Sequence, residues 1–289
     1  MPELPEVETV RRGLHDLIIG STISAASSDT PKSFPNAAAD VVTFLVGATV
    51  TDVRRRAKVL LIDLSSGYTL VTHLKMTGQL VYVRDSERFG AGHPNDSLVN
   101  HLPDKSTRVT LEFTDGSHLY FNDQRKFGWM KLVPTSEVPQ MPFMQKVGPE
   151  PLLRDFTAEQ FAERFTRRAN TSIKAALLDQ SVIAGVGNIY ADESLWGAKI
   201  HPKWLVKTIT IAEFKKLYTE LRAVMNLAIE KGGSTNQNYV NAEGKRGSYM
   251  DFARVFRREG LECPRCGATI VKFKVAGRGT HICPVCQVL

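Results

Sequence analysis

Apolar residues recur at helical spacing directly behind the N-terminus, where Val7, Val10, Leu14, Leu17 and Ile18 follow Met1-Pro2-Glu3-Leu4-Pro5-Glu6. The spacing predicts a helix with one face docked in a core. Pro5 suits its first turn, where a missing N–H costs nothing, and Glu6 and Glu8 favour the positive end of its dipole. Between 41 and 133 the pattern shortens to strand length: 49–55, 59–64, 69–74, 79–83, 108–113, 118–122 and 128–133. Turn signals such as Ser65-Ser66-Gly67 and Asp115-Gly116 separate these segments, and seven short strands predict an antiparallel β-sandwich. Residues 84–106, with Gly90, Gly92, Pro94 and Pro103 among polar neighbours, predict a long loop.

The proline-rich stretch 134–151 predicts a linker. Beyond Thr157 the period becomes helical at 158–168, 172–178, 189–198 and 211–231, which makes the second domain helical. A glycine-rich loop, 232–250, precedes a small C-terminal module. The expected class is therefore α+β. Its divisions are a sandwich domain with its leading helix at 1–133, the linker, a helical domain at 152–256 and the terminal module at 257–289.

A chain of 289 residues with 43% hydrophobic content is long enough for two cores. Its net charge is 37 − 30 = +7, which makes a polyanionic partner plausible; Arg54-Arg55-Arg56 and Arg257-Arg258 add local density. The acidic N-terminus does not form a signal peptide, and nowhere do 18 apolar residues run together, so a cytoplasmic protein is expected. All four cysteines fall near the C-terminus as two Cys-x-x-Cys pairs, Cys263/Cys266 and Cys283/Cys286, separated by sixteen residues. Four thiolates at this spacing predict one tetrahedral zinc ion on two knuckles, structural because no coordination position stays open. Between the knuckles, the segment from Lys272 to Thr280 is basic, and the glycines flanking Arg278 allow close approach to a phosphate.

Other candidates are open to two readings. If Met1 is removed, Pro2 presents a secondary amine of low pKa, with Glu3 and Glu6 three residues apart as proton donor and acceptor; the alternative is a capped surface helix. Ser172–Leu178 and the segment from Asn188 form a helix pair around Gly185 and Gly187, with Asn188 placed to cap the second helix. Such a pair grips a DNA backbone or simply packs as a hairpin. Lys58 enters an apolar strand and reads as a solvated edge residue, His73 and Met76 as strand-end and core residues, and Phe127 as core.

The run PELPEVETVRRGL (2–14), with THLKMTGQ (72–79), DQRKFG (123–128) and the segment from Ala184 to Glu193, resembles the bacterial formamidopyrimidine-DNA glycosylases in the same order over nearly the whole chain. The resemblance is loose around 84–106. It implies a helix–two-turn–helix motif and a zinc-ribbon finger in the C-terminal half. It also implies a monomeric base-excision repair enzyme that removes oxidised purines from double-stranded DNA and cleaves the resulting abasic site. By the same resemblance, Pro2 is the nucleophile, Glu3 assists proton transfer, Lys58 binds phosphate beside the lesion, and Arg278 holds the flanking phosphates. His73 and Asn188 become backbone contacts, and Lys272 a further phosphate candidate. Met76, Arg125 and Phe127 fill the space left by the flipped base, with Arg125 on the orphaned partner. Glu6 supports the lesion pocket, Lys174 lies near the phosphates or the base, and loop 232–250 covers the flipped base. The alternatives are an endonuclease VIII-like enzyme for oxidised pyrimidines, against which Leu4 and Val7-Glu8-Thr9 argue, and a noncatalytic zinc-ribbon DNA-binding protein.

Overall fold

The computed structural model describes residues 1–93, 95–234 and 249–289. The chain divides into two compact units, Met1–Gln145 with Lys231–Ser248, and Lys146–Glu230 with Tyr249–Leu289.

The first unit is a two-sheet antiparallel sandwich led by a helix, α1 (Leu4–Ile18). Its five-stranded sheet has the order β1 (Ile23–Ser28), β7 (Thr107–Phe113), β8 (His118–Asp123), β5 (Gly78–Arg84), β6 (Glu87–Gly92). The four-stranded sheet runs β2 (Val50–Arg56), β3 (Val59–Leu64), β4 (Tyr68–His73), β9 (Trp129–Pro134). A short turn of helix, α2 (Ala38–Asp40), lies between β1 and β2. Alternation along β3 serves two cores at once. Leu60, Ile62 and Leu64 enter the main cluster with Val7, Val10, Leu14 and Ile18 of α1, while Val59 and Leu61 face Val71, Val133 and Val138.

Two strands depart from the sequence expectation. β1 has Ile23 as its only large apolar residue and gains its place by pairing with β7. β6 lies inside the stretch expected to be a long loop. Its glycines and charges hide a strand that pairs with β5, Tyr82 opposite Phe89 and Val83 opposite Arg88. The residues after it are also held: Arg88 donates to the carbonyls of Ser97, Leu98 and Asn100, and the Gln79 amide donates to Asn95 Oδ1 at 2.7 Å. The expected linker begins as part of the first unit, because Val138, Met141, Phe143 and Met144, around α3 (Pro142–Lys146), pack on the outer face of β3.

The second unit contains α4 (Ala158–Phe165), α5 (Ile173–Leu178), α6 (Asn188–Ala198) and α7 (Ile211–Glu230), followed by the hairpin β10 (Val271–Val275) and β11 (Arg278–Ile282). α4 opens with a reciprocal Thr157–Gln160 capping box and α7 with Thr210 and Glu213 in the same arrangement. Phe156, Phe161, Phe165, Phe214 and Tyr218 pack in tilted and edge-to-face pairs between α4 and α7. No helix among the described residues is long and apolar enough to cross a membrane.

Candidate active site and nucleic-acid interface

At the head of α1, Pro2 and Glu3 are buried while Met1 remains 46% exposed. Glu6, at the third helical position, accepts the Glu3 backbone N–H through Oε2 at 2.7 Å. Its other oxygen, Oε1, accepts the Ser234 N–H at 2.8 Å, and Gly233 sits so close that a Cβ there would stand 3.3 Å from the Glu6 side chain. Glu6 thus stitches the first turn of α1 to the start of the glycine-rich segment. Residues 235–248 of that segment, expected to cover a flipped base, lie outside the described residues.

Glu8 ties the same helix to the turn that carries Lys58. Its carboxylate pairs with Arg11 and Arg12 on α1 and with Arg55 on β2, while Arg55 also donates to the Ala57 carbonyl at 2.9 Å. Hydrogen bonds from the three guanidinium groups outweigh burial and hold the Glu8 carboxyl below its ordinary range. Lys58 itself is buried rather than a solvated edge residue, and Val59 behind it pairs with His73. Burial, then the charges of Lys75 and Lys58, push the His73 imidazole down to about 3. Its Nδ1 accepts the Lys75 N–H at 3.0 Å, so the neutral ring carries its proton on Nε2 and offers that N–H as a donor.

The turns that follow β4 and β8 are joined. Met76 is half-buried in the first; Arg125 and Phe127 are exposed in the second, with the Arg125 guanidinium 4.8 Å from the centre of the Phe127 ring. Thr77, next to Met76, accepts the Arg125 N–H at 3.1 Å. An exposed Phe stacked under an arginine on a fixed turn is a contact surface and not the core residue that its bare sequence suggests. Ala57, Lys75, Lys126 and Ala276 all have positive φ, at 53°, 50°, 55° and 49°. Each adjoins a candidate residue or, for Ala276, lies two positions before Arg278, so sharp turns aim these side chains.

In the second unit, Asp179 builds the turn after α5 by accepting the Ser181 N–H and hydroxyl, and Gly185 takes φ +83° to enter α6. Asn188 does not cap α6; Gly187 holds that position, and the Asn188 amide instead donates to the Gly279 carbonyl at 2.9 Å. Its Oδ1 is buried with no hydrogen-bond partner. Lys174 corrects the expectation of a nucleic-acid contact: it is 0% exposed, and its Nζ donates to Asp192 at 2.5 Å, Thr280 Oγ1 at 2.8 Å and the Gly279 carbonyl at 3.1 Å. A charge this deep remains only when fully paired, so the lysine anchors β11 on α5 and α6. Asp192 completes the link by accepting His281 N and Nδ1 at 2.9 and 3.1 Å. The anchored hairpin turns through Ala276-Gly277, both at positive φ, and presents Arg278 exposed at the start of β11. Lys272 is held by Glu259 at 2.9 Å.

The four cysteine sulfurs lie within 4.8 Å of one another, and no disulfide joins them. A tetrahedral zinc ion with Zn–S bonds of about 2.3 Å requires sulfurs about 3.8 Å apart; Cys263 and Cys286 are separated by 4.0 Å and Cys266 and Cys286 by 3.6 Å. The set fits zinc. Trp196 supports it by donating its indole N–H toward Cys263 Sγ at 3.4 Å.

Sequence reasoning missed Asp123, Glu193, Asp192 as a lysine partner, and His281. Glu193, 0% exposed, accepts Tyr249 OH and the N–H groups of Arg254, Val255 and Phe256, and burial raises its carboxyl. The available signal was two adjacent acids, Asp192-Glu193, inside an otherwise apolar helix.

A sandwich led by an acid-flanked helix, followed along the chain by glycine-turned helices and a four-cysteine ribbon, is the architecture of the helix–two-turn–helix class of DNA repair enzymes. Residues 1–130 match the formamidopyrimidine-DNA glycosylase N-terminal domain, 147–240 its H2TH domain, and 260–288 the zinc finger found in FPG and IleRS. The chain belongs to the formamidopyrimidine-DNA glycosylase family. It is 44% identical to the formamidopyrimidine-DNA glycosylase of Pediococcus pentosaceus over 289 residues, the full length of both. A Streptococcus pyogenes relative of the same name is 43% identical, covering 99% of this chain and 98% of that protein. Among solved structures, a Lactococcus lactis FPG mutant in complex with Fapy-dG containing DNA superposes with a TM-score of 0.87 at 35% identity, covering all of both chains. The Lactococcus lactis Fpg complex with abasic-site DNA also gives 0.87 at 35% identity, with 99% of this chain and 100% of that one covered.

Proposed function

We propose that this chain excises oxidised purines, 8-oxoguanine and formamidopyrimidines, from double-stranded DNA and cleaves the abasic site through a Schiff base on Pro2. The observation that carries this reading is the N-terminal turn. Its proline nitrogen is one exposed residue away from being a free secondary amine, and two buried acids, Glu3 and Glu6, follow it at the head of the helix. Removal of Met1 is a chemical requirement, because a Pro2 nitrogen acylated by Met1 is a tertiary amide without a usable lone pair.

The freed amine attacks the sugar C1′, and the purine departs with the electrons of the C1′–N bond. Glu3 assists opening of the sugar ring and the associated proton transfer, leaving an iminium on C1′. Successive β- and δ-elimination break the two flanking C–O phosphate bonds and leave a one-nucleotide gap. Lys58 and the Nε2–H of neutral His73 serve as phosphate donors in the first unit, Arg278 and Asn188 in the second. Met76, Arg125 and Phe127 occupy the space vacated by the damaged nucleotide and offset part of the few kcal/mol that extrusion costs. Zinc, when bound, fixes the finger and takes no chemical step. The enzyme acts in the cytoplasm, where its substrate lies at the nucleoid.

Borohydride trapping on a duplex with one 8-oxoguanine opposite cytosine tests the reading. A covalent adduct is expected from the mature protein and not from Pro2→Gly or from a chain that retains Met1. Base release that survives loss of the Pro2 amine would overturn the nucleophile, and stronger trapping on thymine glycol would move the chain to the endonuclease VIII-like class.

A further inference from the structure

Asp123 is 0% exposed, closes β8, and touches no solvent, yet its carboxylate is saturated by donors from two separate turns. Oδ1 accepts the Thr77 hydroxyl and the Arg125 N–H, the latter at 3.1 Å. Oδ2 accepts the N–H groups of Phe127 at 2.8 Å and Gly128 at 2.6 Å. Two carboxylate oxygens offer about four acceptor sites, and all four are used. The neighbouring backbone is locked as well: Arg108 donates to the Asp123 carbonyl at 2.8 Å and is itself held by Asp29 at 2.7 Å. Gly128 permits the approach, since a Cβ there would stand 2.6 Å from the Phe121 ring and 3.0 Å from the His73 carbonyl.

We infer that Asp123 is a positioning residue which makes the Met76 turn and the Arg125–Phe127 turn a single rigid wedge. Opposite-base reading and base extrusion then depend on it, whereas elimination at an existing abasic site does not. The inference rests on the proposed role of those three side chains. Its physical basis is that a wedge must already be ordered before it enters the stack, or the ordering cost is subtracted from every extrusion event. Met76 and Arg125 lie on different turns, each carrying the chain from one sheet of the sandwich to the other, and the Thr77 and Asp123 side chains hydrogen-bond one turn to the other.

The test compares the mature protein with Asp123→Asn and Thr77→Val. Asparagine keeps the shape but replaces one acceptor oxygen with an NH2 that faces backbone N–H groups. Single-turnover base release is measured on 8-oxoguanine opposite cytosine and opposite adenine, alongside nicking of a single-stranded abasic oligonucleotide. Base release by Asp123→Asn should fall ten- to a hundredfold and its preference between the two opposite bases should shrink toward unity. Abasic nicking should stay within about threefold, and Thr77→Val should show the same selectivity with a smaller loss. In a Phe127→Ala background, Asp123→Asn should add little further loss. Equal losses on both substrates, or an undiminished opposite-base preference, would overturn the inference. A mature protein that releases no base at all would instead sink the proposed activity, a result separable from either.

Discussion

Gly13 of α1 leaves the space that the Phe89 ring of β6 fills: a Cβ at Gly13 would lie 2.0 Å from Phe89 Cζ. Helix and edge strand meet face to face there, and Phe89 is only 3% exposed, so its ring has no free direction in which to withdraw. The contact places the strand formed inside the 84–106 stretch directly behind the helix that carries Pro2.

Gly13→Ala is therefore expected to destabilise the protein by about 1–3 kcal/mol, even though alanine is the better helix former by about 1 kcal/mol. Urea melting of a double-mutant cycle checks the cause. In a Phe89→Ala background the Gly13→Ala penalty should vanish or change sign. An unchanged penalty would mean that something other than this ring sets it.

Much of this arrangement was legible in the sequence because local chemistry and tertiary packing agree. The boundaries of β3 follow from an apolar run between two turns, and the start of α4 from the change to a helical period after Thr157. The four cysteines announce their cluster by spacing alone. What remained hidden was cooperative. β6 is a strand only because β5 pairs with it and α1 covers it, and nothing in Glu87-Arg88-Phe89-Gly90 states either fact. Lys174 illustrates the same limit at the site. A lysine in a motif that resembles a DNA-binding segment suggests a phosphate, whereas its partner Asp192 is 18 residues away and its hydroxyl partner Thr280 is 106 away.

Breaking that buried pair should be costly. Lys174→Met leaves Asp192 charged and buried with only His281 and is expected to cost about 3–5 kcal/mol. Hydrogen exchange at the amides of 279–282 should accelerate with it, because Lys174 holds Thr280 and shares the Gly279 carbonyl with Asn188. Replacing both partners, Lys174→Met with Asp192→Leu, should cost less than the sum of the single changes. Strict additivity in denaturant melting would show that the two charges do not act as a pair.

His73 makes a pH-dependent contribution of known sign. Its folded pKa, about 3, is below the ordinary 6.5, so folding favours the neutral ring. The stability is complete above pH 6.5 and declines as pH falls from there toward 3. At pH 4.5 the loss should reach at most about 2 kcal/mol, since the solvent-facing edge of the ring reduces it. His73→Gln should therefore lose less stability than the parent between pH 7 and 4.5 in parallel urea melts. Identical losses would place the imidazole in its ordinary titration range.

Zinc removal should separate the two units. The finger's own core consists of Val255, Cys263, Ile270 and Cys283 packed on Trp196, and two of these are ligands. Without the metal, this cluster is too small to hold the hairpin, whereas the sandwich has an independent core built on α1, β3 and β8. Trp196 reports the change directly. Its indole N–H points at Cys263 Sγ, and the Arg265 guanidinium lies 3.8 Å over its ring, so loss of zinc alters both contacts. Chelation should shift Trp196 emission, with Trp196→Phe as the control that removes the signal from the background of Trp129 and Trp204. Duplex binding should weaken at least tenfold in parallel, because Arg278 stands on the hairpin that the metal closes. The melting of the sandwich should remain in place. A sandwich that unfolds together with the finger would show that the metal stabilises the whole chain, while unchanged DNA affinity after complete zinc loss would remove Arg278 from the interface.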